Sequence, residues 1–296
     1  MQIIIKKYEE QDEEQLKELF YLCFEDENLL NILSNNRFKF AYSAFFENKL
    51  VGIMLSWQNS FHPYCTYFRI LVNPIYHFSN IAEQLLSKIE DLKTRNVPLQ
   101  TSVYETAASL ISTYKENGFK VIRRTYSPTL KVSDIVDYIP YNRENHQIKN
   151  VREILSNELL MEELTHFAKW IYEKTHEANP VANFEIDKWQ ELIFTDDLVQ
   201  NGSYIYLDKN EKSIIAFSFL YESDESGSLE VGWCGSAEDE HKMLIPQLFF
   251  HQVHYAIRNG FQFIIGEFDS TDEYAMELLN NFPFAPSPTW LTLQKE

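Results

Sequence analysis

Glycine and cysteine are scarce in this chain of 296 residues, which has eight glycines and three cysteines. Only Gly52 and Gly118 fall within the first 150 residues. Neither a Walker A loop nor a G-x-G-x-x-G fingerprint can be built from them, which argues against nucleotide-binding enzymes of those two types. The cysteines Cys23, Cys65 and Cys234 are far apart and odd in number, a pattern that favours reduced thiols over a disulfide framework or a zinc site.

Basic charge and long apolar runs are also lacking. The chain has 26 Lys and Arg residues against 44 Asp and Glu residues, a formal net charge of −18. Such an acidic protein is a poor ligand for nucleic acid or an anionic membrane, because both require a positive surface. No apolar run approaches the ~18 residues of a membrane span, and the apolar run near the start is too short for a signal peptide. We therefore predict a cytoplasmic protein that binds neither nucleic acid nor a membrane.

The acidic excess lies in the second half of the chain. Residues 1–150 hold 17 basic and 18 acidic side chains, whereas residues 151–296 hold 9 and 26. Seven of these acidic residues lie close together in the sequence: Glu222, Asp224, Glu225, Glu230, Glu238, Asp239 and Glu240. Such a run usually forms a solvated surface, and the functional alternative is that it attracts a cationic amine.

The length predicts two domains, and a polar stretch over residues 137–149 marks the boundary between them. In the first half, hydrophobic periodicity predicts strands over 1–7, 40–46, 50–57, 67–72, 99–103 and 119–131, the last interrupted near Pro128, and helices over 12–24, 80–93 and 107–117. In the second half it predicts helices over 158–175, 188–194, 242–259 and 274–281, and strands over 203–207, 213–221, 229–234, 261–268 and 290–294. The order of elements repeats loosely at half the chain length, which indicates duplication.

Two short segments carry a resemblance to a known family. One strand ends Val72-Asn73-Pro74, and the segment His77-Phe78-Ser79-Asn80-Ile81-Ala82 follows it and opens a helix. A later helix ends in Tyr114-Lys115-Glu116-Asn117-Gly118-Phe119. With the order of elements around them, these segments resemble the GNAT superfamily of N-acetyltransferases. The loop is similar to that family's Arg/Gln-x-x-Gly-x-Gly/Ala pattern, and the second segment is similar to its Tyr-x-x-x-Gly-Phe pattern.

The resemblance implies an α/β (α+β) fold with two GNAT-like domains, each a mixed, mostly antiparallel twisted sheet flanked by helices. It implies an acetyl-CoA-binding domain over residues 1–138 and a degenerate, acidic copy over residues 139–296. The implied reaction moves an acetyl group from acetyl-CoA to a primary amine of a small molecule or peptide, and Tyr114 would protonate the departing thiolate. The implied cofactor-binding residues are Leu71, Val72, His77, Phe78, Ser79, Asn80, Ile81 and Ala82. No metal is expected, and a homodimer is left open.

This sequence departs from the family's pattern at several positions. His77 and Asn80 occupy the places of the basic residue and the first glycine, and Ala107 occupies the place of an asparagine that is frequent in the family. Glu238, Asp239 and Glu240 replace the phosphate loop in the second half, where they would repel a pyrophosphate. These losses keep a second hypothesis open, namely a non-catalytic acyl-CoA sensor or partner-binding protein. An aminoacyl-transferase of cell-wall assembly is disfavoured, because it would need a basic groove for tRNA.

Overall fold

A computed structural model describes residues 2–9, 13–23, 27–35, 37–76, 80–91, 97–135 and 147–296. The chain forms two compact units. Unit 1 comprises Met1–Ile122, Asn179–Ala182 and Trp290–Glu296, and unit 2 comprises Arg123–Ala178 and Asn183–Thr289. The predicted domain boundary at residues 138 and 139 lies outside the described residues, as do the predicted site residues His77, Phe78 and Ser79.

The secondary structure alternates strands and helices in both halves of the sequence. The strands are β1 (Ile4–Lys7), β2 (Phe40–Phe46), β3 (Lys49–Trp57), β4 (Thr66–Val72), β5 (Leu99–Tyr104), β6 (Lys120–Tyr126), β7 (Thr129–Lys131), β8 (Ile148–Asn150), β9 (Tyr204–Leu207), β10 (Ile214–Glu222), β11 (Ser228–Ser236), β12 (Phe263–Ile265), β13 (Phe268–Asp269) and β14 (Thr289–Lys295). The helices are α1 (Glu13–Leu22), α2 (Glu27–Ser34), α3 (Ile81–Asp91), α4 (Ala108–Glu116), α5 (Val151–Ile154), α6 (Glu158–Thr175), α7 (Ile186–Ile193), α8 (Leu244–Arg258) and α9 (Glu273–Asn281). Among the described residues, no helix combines the length and the apolar character that crossing a membrane requires.

The sheet of unit 1 has the strand order β1-β2-β3-β4-β5-β14-β6. Its neighbours β1–β2, β2–β3, β3–β4 and β5–β14 are antiparallel, and β4–β5 is parallel. A tight turn with positive φ at Glu47 and Asn48 joins β2 to β3, between the predicted strands 40–46 and 50–57. One face of this sheet buries residues of α1 and α2, including Leu19, and the other buries residues of α3 and α4, including Leu85.

The sheet of unit 2 has the order β7-β12-β11-β10-β9-β8, in which only β11–β12 is a parallel pair. The two-residue strand β13 pairs with the end of β6, Phe268 with Tyr126 and Asp269 with Thr125. Both sheets are thus mixed, mostly antiparallel and flanked by helices, so the predicted fold class is confirmed.

Some predicted elements differ from the structure. The segment 261–268 forms two short strands, β12 and β13, rather than one. The strand 119–131 is interrupted near Pro128, as predicted, but its parts β6 and β7 join different sheets, which was not predicted. The helix α2 was not predicted.

Candidate functional site

The strands β4 and β5 of unit 1 separate from each other along their length. They are in parallel register at Thr66 with Leu99 and at Tyr67 with Gln100, and no further pair is formed by the described residues of the two strands. Both strands continue beyond these two pairs, β4 to Val72 and β5 to Tyr104. Parallel neighbours that diverge leave backbone N–H and C=O groups on the facing edges, and a ligand that enters the gap can bond to them.

A buried polar cluster holds the start of these strands together. The Cys65 thiol lies 3.6 Å from both Gln100 Oε1 and Asn179 Oδ1, and the Tyr67 hydroxyl lies 3.2 Å from Asn179 Oδ1. Burial raises the pKa of the Cys65 thiol, which keeps it protonated as a donor. The strands therefore diverge from a fixed point, and the gap widens towards their carboxyl ends.

A cavity of about 730 Å³ opens beside the diverging strands. It is lined by the end of α1, the second half of β4, the first turn of α3, the end of β5, four residues from the first two turns of α4, and Trp290 of β14. All of these residues belong to unit 1. The volume falls within the range of roughly 300–1,000 Å³ that is typical of small-molecule sites.

The first turn of α3 reaches the cavity because the helix packs closely on β3. A Cβ atom at Gly52 would lie 2.9 Å from Ile81 Cγ2 and 3.1 Å from the backbone oxygen of Leu71. Ile81 is fully buried in this contact, whereas Ala82 and the exposed Glu83 line the cavity. The amide of Gln84 donates to the Asn80 carbonyl oxygen at 3.1 Å, so the amides of residues 81–83 precede the first helical hydrogen bond.

The predicted cofactor residues that the structure describes lie around this cavity. Leu71, Val72, Asn80 and Ala82 line it, and Ile81 anchors the helix beneath it. The Asn80 Oδ1 atom accepts a hydrogen bond from Gln84 Nε2 at 2.6 Å, so this oxygen is bonded to a side chain one turn further along α3.

Tyr114 is a residue of α4, and its side chain lies in the core of unit 1. Its side chain is 0% exposed, and its ring centroid lies 5.7 Å from that of Phe68 and 5.5 Å from that of Phe119. The neighbouring Thr113 lines the cavity, and Tyr114 is not among the described residues that do so. As predicted, α4 closes at Gly118, where φ is 85° and the Phe119 amide donates to the Tyr114 carbonyl oxygen.

The comparisons with known proteins concern the fold. No protein-family model and no curated protein matches the sequence. Among solved structures, the chain is similar to a GCN5-related N-acetyltransferase from Sphaerobacter thermophilus, with 12% identity over 99% of this chain and 95% of that chain and a TM-score of 0.62. It is similar to a tandem GNAT protein from the clavulanic acid biosynthesis pathway, with 11% identity over 100% and 98% of the chains and a TM-score of 0.58. A fungal glucosamine N-acetyltransferase region aligns at 13% identity over 99% of this chain and 38% of that chain, with a TM-score of 0.59.

This chain has a tandem GNAT fold. The resemblance inferred from residues 72–82 and 114–119 is thereby confirmed at the level of the fold.

Most residues of the GNAT-fold cavity were not predicted as site residues from the sequence, among them an arginine and two aromatic residues. Arg69, Tyr104 and Trp290 all line it. The guanidinium Cζ of Arg69 lies 4.9 Å from the ring centroid of Trp290, whose ring centroid is 4.2 Å from that of Tyr104. Arg69 stands out in the sequence as a cation in an apolar strand, but no local signal connects it to a tryptophan more than 200 positions away.

In unit 2, the segment before α8 takes the place of the phosphate loop of the first half, and it carries an ion-pair network. Lys242, just before α8, contacts Asp239 and Glu273, and Glu273 also contacts Lys174 at 2.7 Å. The hydrogen bonds from these lysines lower the pKa of the Glu273 carboxyl.

The seven acidic residues of segment 222–240 are exposed to solvent. The side chains of Glu238, Glu240 and His241 lie close enough together to share an ion, but exposed acidic groups of this kind are common without one.

Proposed function

We propose that unit 1 binds acetyl-CoA and transfers its acetyl group to a primary amine. The observation that carries this proposal is the cavity beside the diverging strands β4 and β5, which the first turn of α3 borders. Four of the residues expected to bind the cofactor, Leu71, Val72, Asn80 and Ala82, line that cavity.

The residues present fit the cofactor at two places. The amides at the start of α3 carry the positive end of the helix dipole, which suits a pyrophosphate. The facing edges of β4 and β5 offer amide N–H and C=O groups, which suit the two amides of a pantetheine arm. Gly52 supports this fit, because it lets α3 lie close enough to β3 for its first turn to border the cavity.

The chemistry is acyl transfer from a thioester. The nitrogen of the amine forms a bond to the acetyl carbon, the carbon–sulfur bond breaks, and the amine loses a proton while the sulfur gains one. A backbone amide near Val72 would polarise the acetyl carbonyl oxygen. A phenol is a suitable donor to a thiolate of comparable basicity, so Tyr114 remains the proposed source of the proton at sulfur.

The burial of Tyr114 favours a second candidate function. A tyrosine fully enclosed by aromatic rings can serve packing alone, and in that case the chain would bind an acyl-CoA without transferring the acyl group. Such a protein would act as a sensor or partner-binding module. Both functions would use the same cavity to bind an acyl-CoA, and only the first would transfer the acyl group to an amine.

We propose that acetyl-CoA binds to unit 1 and does not bind to unit 2. Carboxylates at Glu238, Asp239 and Glu240 occupy the segment that precedes α8, where a pyrophosphate would otherwise lie, and they are exposed. A cytoplasmic location, a homodimer and a domain boundary near residue 138 stay predictions.

Two assays on the full chain test the proposal. Thermal unfolding is followed with acetyl-CoA, with CoA and without ligand, and release of free CoA thiol is followed with a panel of amines. We expect acetyl-CoA to raise the melting temperature and at least one amine to accelerate thiol release. Stabilisation without amine-dependent release would favour the sensor, and the absence of stabilisation by any acyl-CoA would overturn both functions.

A further inference from the structure

Tyr104 places a phenol in the wall of the cavity. It is the last residue of β5, it is half-buried, and it is the only tyrosine among the described residues that line the cavity. Its ring centroid lies 4.2 Å from that of Trp290, and no described residue forms a hydrogen bond with its hydroxyl. A phenol hydroxyl can donate one hydrogen bond and accept others. The hydroxyl of Tyr104 is therefore available to a molecule bound in the cavity.

Tyr104 lies on the face of the sheet opposite to α3 and α4. The preceding residue, Val103, packs in the same core as Leu85 of α3, and side chains alternate between the two faces along a strand. Trp290 is in register with Tyr104, and the residue after it, Leu291, also packs in that core. Tyr104 and Trp290 therefore share the other face.

The cavity reaches both faces of the sheet through the gap between β4 and β5. Ala82, in the first turn of α3, lines it on one face, and Leu71, which packs with residues of α1, lines it on the other. A cofactor whose pyrophosphate is bound at the start of α3 enters the gap from the first face. The second face, on which Tyr104 lies, is then left to the acceptor.

We infer that Tyr104 is a catalytic residue whose hydroxyl oxygen accepts a hydrogen bond from the acceptor amine. The inference rests on the proposed function, because it assigns the acceptor's side of the same cavity. An N–H group held by the phenol oxygen directs the lone pair of the nitrogen towards the acetyl carbon.

The hydrogen bond leaves the balance of the reaction unchanged. The carbon–nitrogen bond forms as the nitrogen releases a proton to water, and the carbon–sulfur bond breaks as the sulfur gains a proton. Tyr114 is the proposed donor to sulfur and regains its proton from water. Tyr104 acts on the nitrogen and gives up no proton.

Tyr104→Phe removes the hydroxyl and keeps the ring beside Trp290. Thiol release from acetyl-CoA is measured for the full chain with a panel of primary amines, namely ethanolamine, benzylamine, putrescine, glycine, lysine and glucosamine. With the amine that the wild type uses fastest, we expect kcat/KM for the amine to fall by about 10- to 100-fold, because the nitrogen is no longer held in line. The KM for acetyl-CoA should stay within about threefold of the wild type. A purely structural role would not divide the effect between the two substrates in this way.

Tyr21→Phe is the matched control. It removes a phenol hydroxyl from α1 of unit 1, where the side chain is 82% exposed and is not among the described residues that line the cavity. Both kinetic constants of this variant should equal those of the wild type. Thermal unfolding with and without acetyl-CoA, measured on every variant, reports whether the fold and the cofactor's side of the cavity are intact.

The outcomes are distinct from those of the proposed function. An unchanged kcat/KM for the amine in Tyr104→Phe would overturn the inference and leave the proposed function standing. An effect confined to the KM for acetyl-CoA, or an equal loss in Tyr21→Phe, would do the same. Failure of the wild type to bind acetyl-CoA, or to release thiol with any amine of the panel, would instead be failure of the proposed function, and the inference would fall with it.

Discussion

Tyr114 is the residue whose role depends most on its surroundings. Its ring fills a space between Phe68 and Phe119 in the core, and α4 holds it one residue beyond the cavity-lining Thr113. Packing and proton donation make different demands on this side chain. Packing needs the ring, whereas donation needs the hydroxyl oxygen.

Replacement of Tyr114 by phenylalanine separates these two demands. The ring contacts remain, so the melting temperature should change little, while kcat for acetyl transfer should fall by about 100-fold if the hydroxyl protonates the leaving sulfur. Steady-state thiol release measures kcat, and thermal unfolding measures the packing. An unchanged kcat in Tyr114→Phe would leave packing as the role of this residue.

The residues around the cavity differ in how far the sequence could predict them. Leu71, Val72, Asn80 and Ala82 belong to one continuous segment, so a local pattern was enough to place them together. Arg69 and Trp290 meet only because β14 returns from the end of the chain to lie beside β5. Such a contact depends on strand order, which hydrophobic periodicity does not encode.

At the scale of elements, the position of α3 depends on a glycine beneath its first turn. In Gly52→Ala the added methyl group would meet the backbone oxygen of Leu71 as well as Ile81, so the helix must shift. We expect a loss of about 1–3 kcal/mol in the free energy of unfolding and weaker binding of acetyl-CoA. Denaturant unfolding and calorimetry measure the two effects.

Gly202 of unit 2 provides a matched control for this substitution. A Cβ atom there would lie 2.9 Å from both Tyr255 Cδ1 and Val199 Cγ1, so Gly202→Ala should also destabilise the protein. It should leave the affinity for acetyl-CoA unchanged, because Gly202 lies in unit 2. Equal losses of affinity in both variants would refute the link between α3 and the cofactor.

The start of α9 gives stability a dependence on pH. Asp272 caps this helix by accepting from the amides of Tyr274 and Ala275 at 2.9 and 3.0 Å. Burial raises the pKa of its carboxyl to about 6, although these amide bonds oppose the rise. The pKa of the Asp272 carboxyl is thus higher in the folded chain than in the unfolded chain. Its contribution to the free energy of unfolding is therefore fully present below about pH 4 and is lost as the pH rises through 6.

Asp272→Asn tests this cap. Asparagine caps a helix as well as aspartate does and does not ionise, so the variant should lack this pH dependence. Between pH 4 and pH 8, the wild type should lose on the order of 2–3 kcal/mol of unfolding free energy relative to the variant. Urea unfolding across this range gives the difference directly, and parallel pH profiles for the two proteins would show that Asp272 is not the group responsible.

Elements with a strong local signal were predicted closely, and elements defined by their partners were not. The helix α6 has the predicted bounds, since its apolar stripe and its polar flanks are both local. The segment 261–268 reads as one strand, because it is a nearly continuous β-type run, whereas Pro128 signals the interruption within 119–131. The division of 261–268 into β12 and β13, and the membership of β6 and β7 in different sheets, follow from pairing with distant strands.

At the scale of the whole molecule, the two halves of the sequence differ in charge and in the sites that they carry. The second half holds 26 of the 44 acidic residues, and the seven acidic side chains between residues 222 and 240 are exposed. Among the described residues that line it, the cavity of unit 1 has one cation, Arg69, and it has the positive end of a helix at its edge. The acidity of the chain is therefore compatible with an anionic cofactor, because it lies mainly on unit 2.

The central claim is that one acetyl-CoA binds in unit 1 at the start of α3. Calorimetry of the full chain with acetyl-CoA tests it, with Ala82→Glu adding a carboxylate to the cavity wall and Ser87→Glu adding the same charge at an exposed place further along α3. We predict one molecule bound per chain, an affinity at least about tenfold weaker in Ala82→Glu, and an affinity close to that of the wild type in Ser87→Glu. Undiminished binding by Ala82→Glu, or two molecules per chain, would contradict the account.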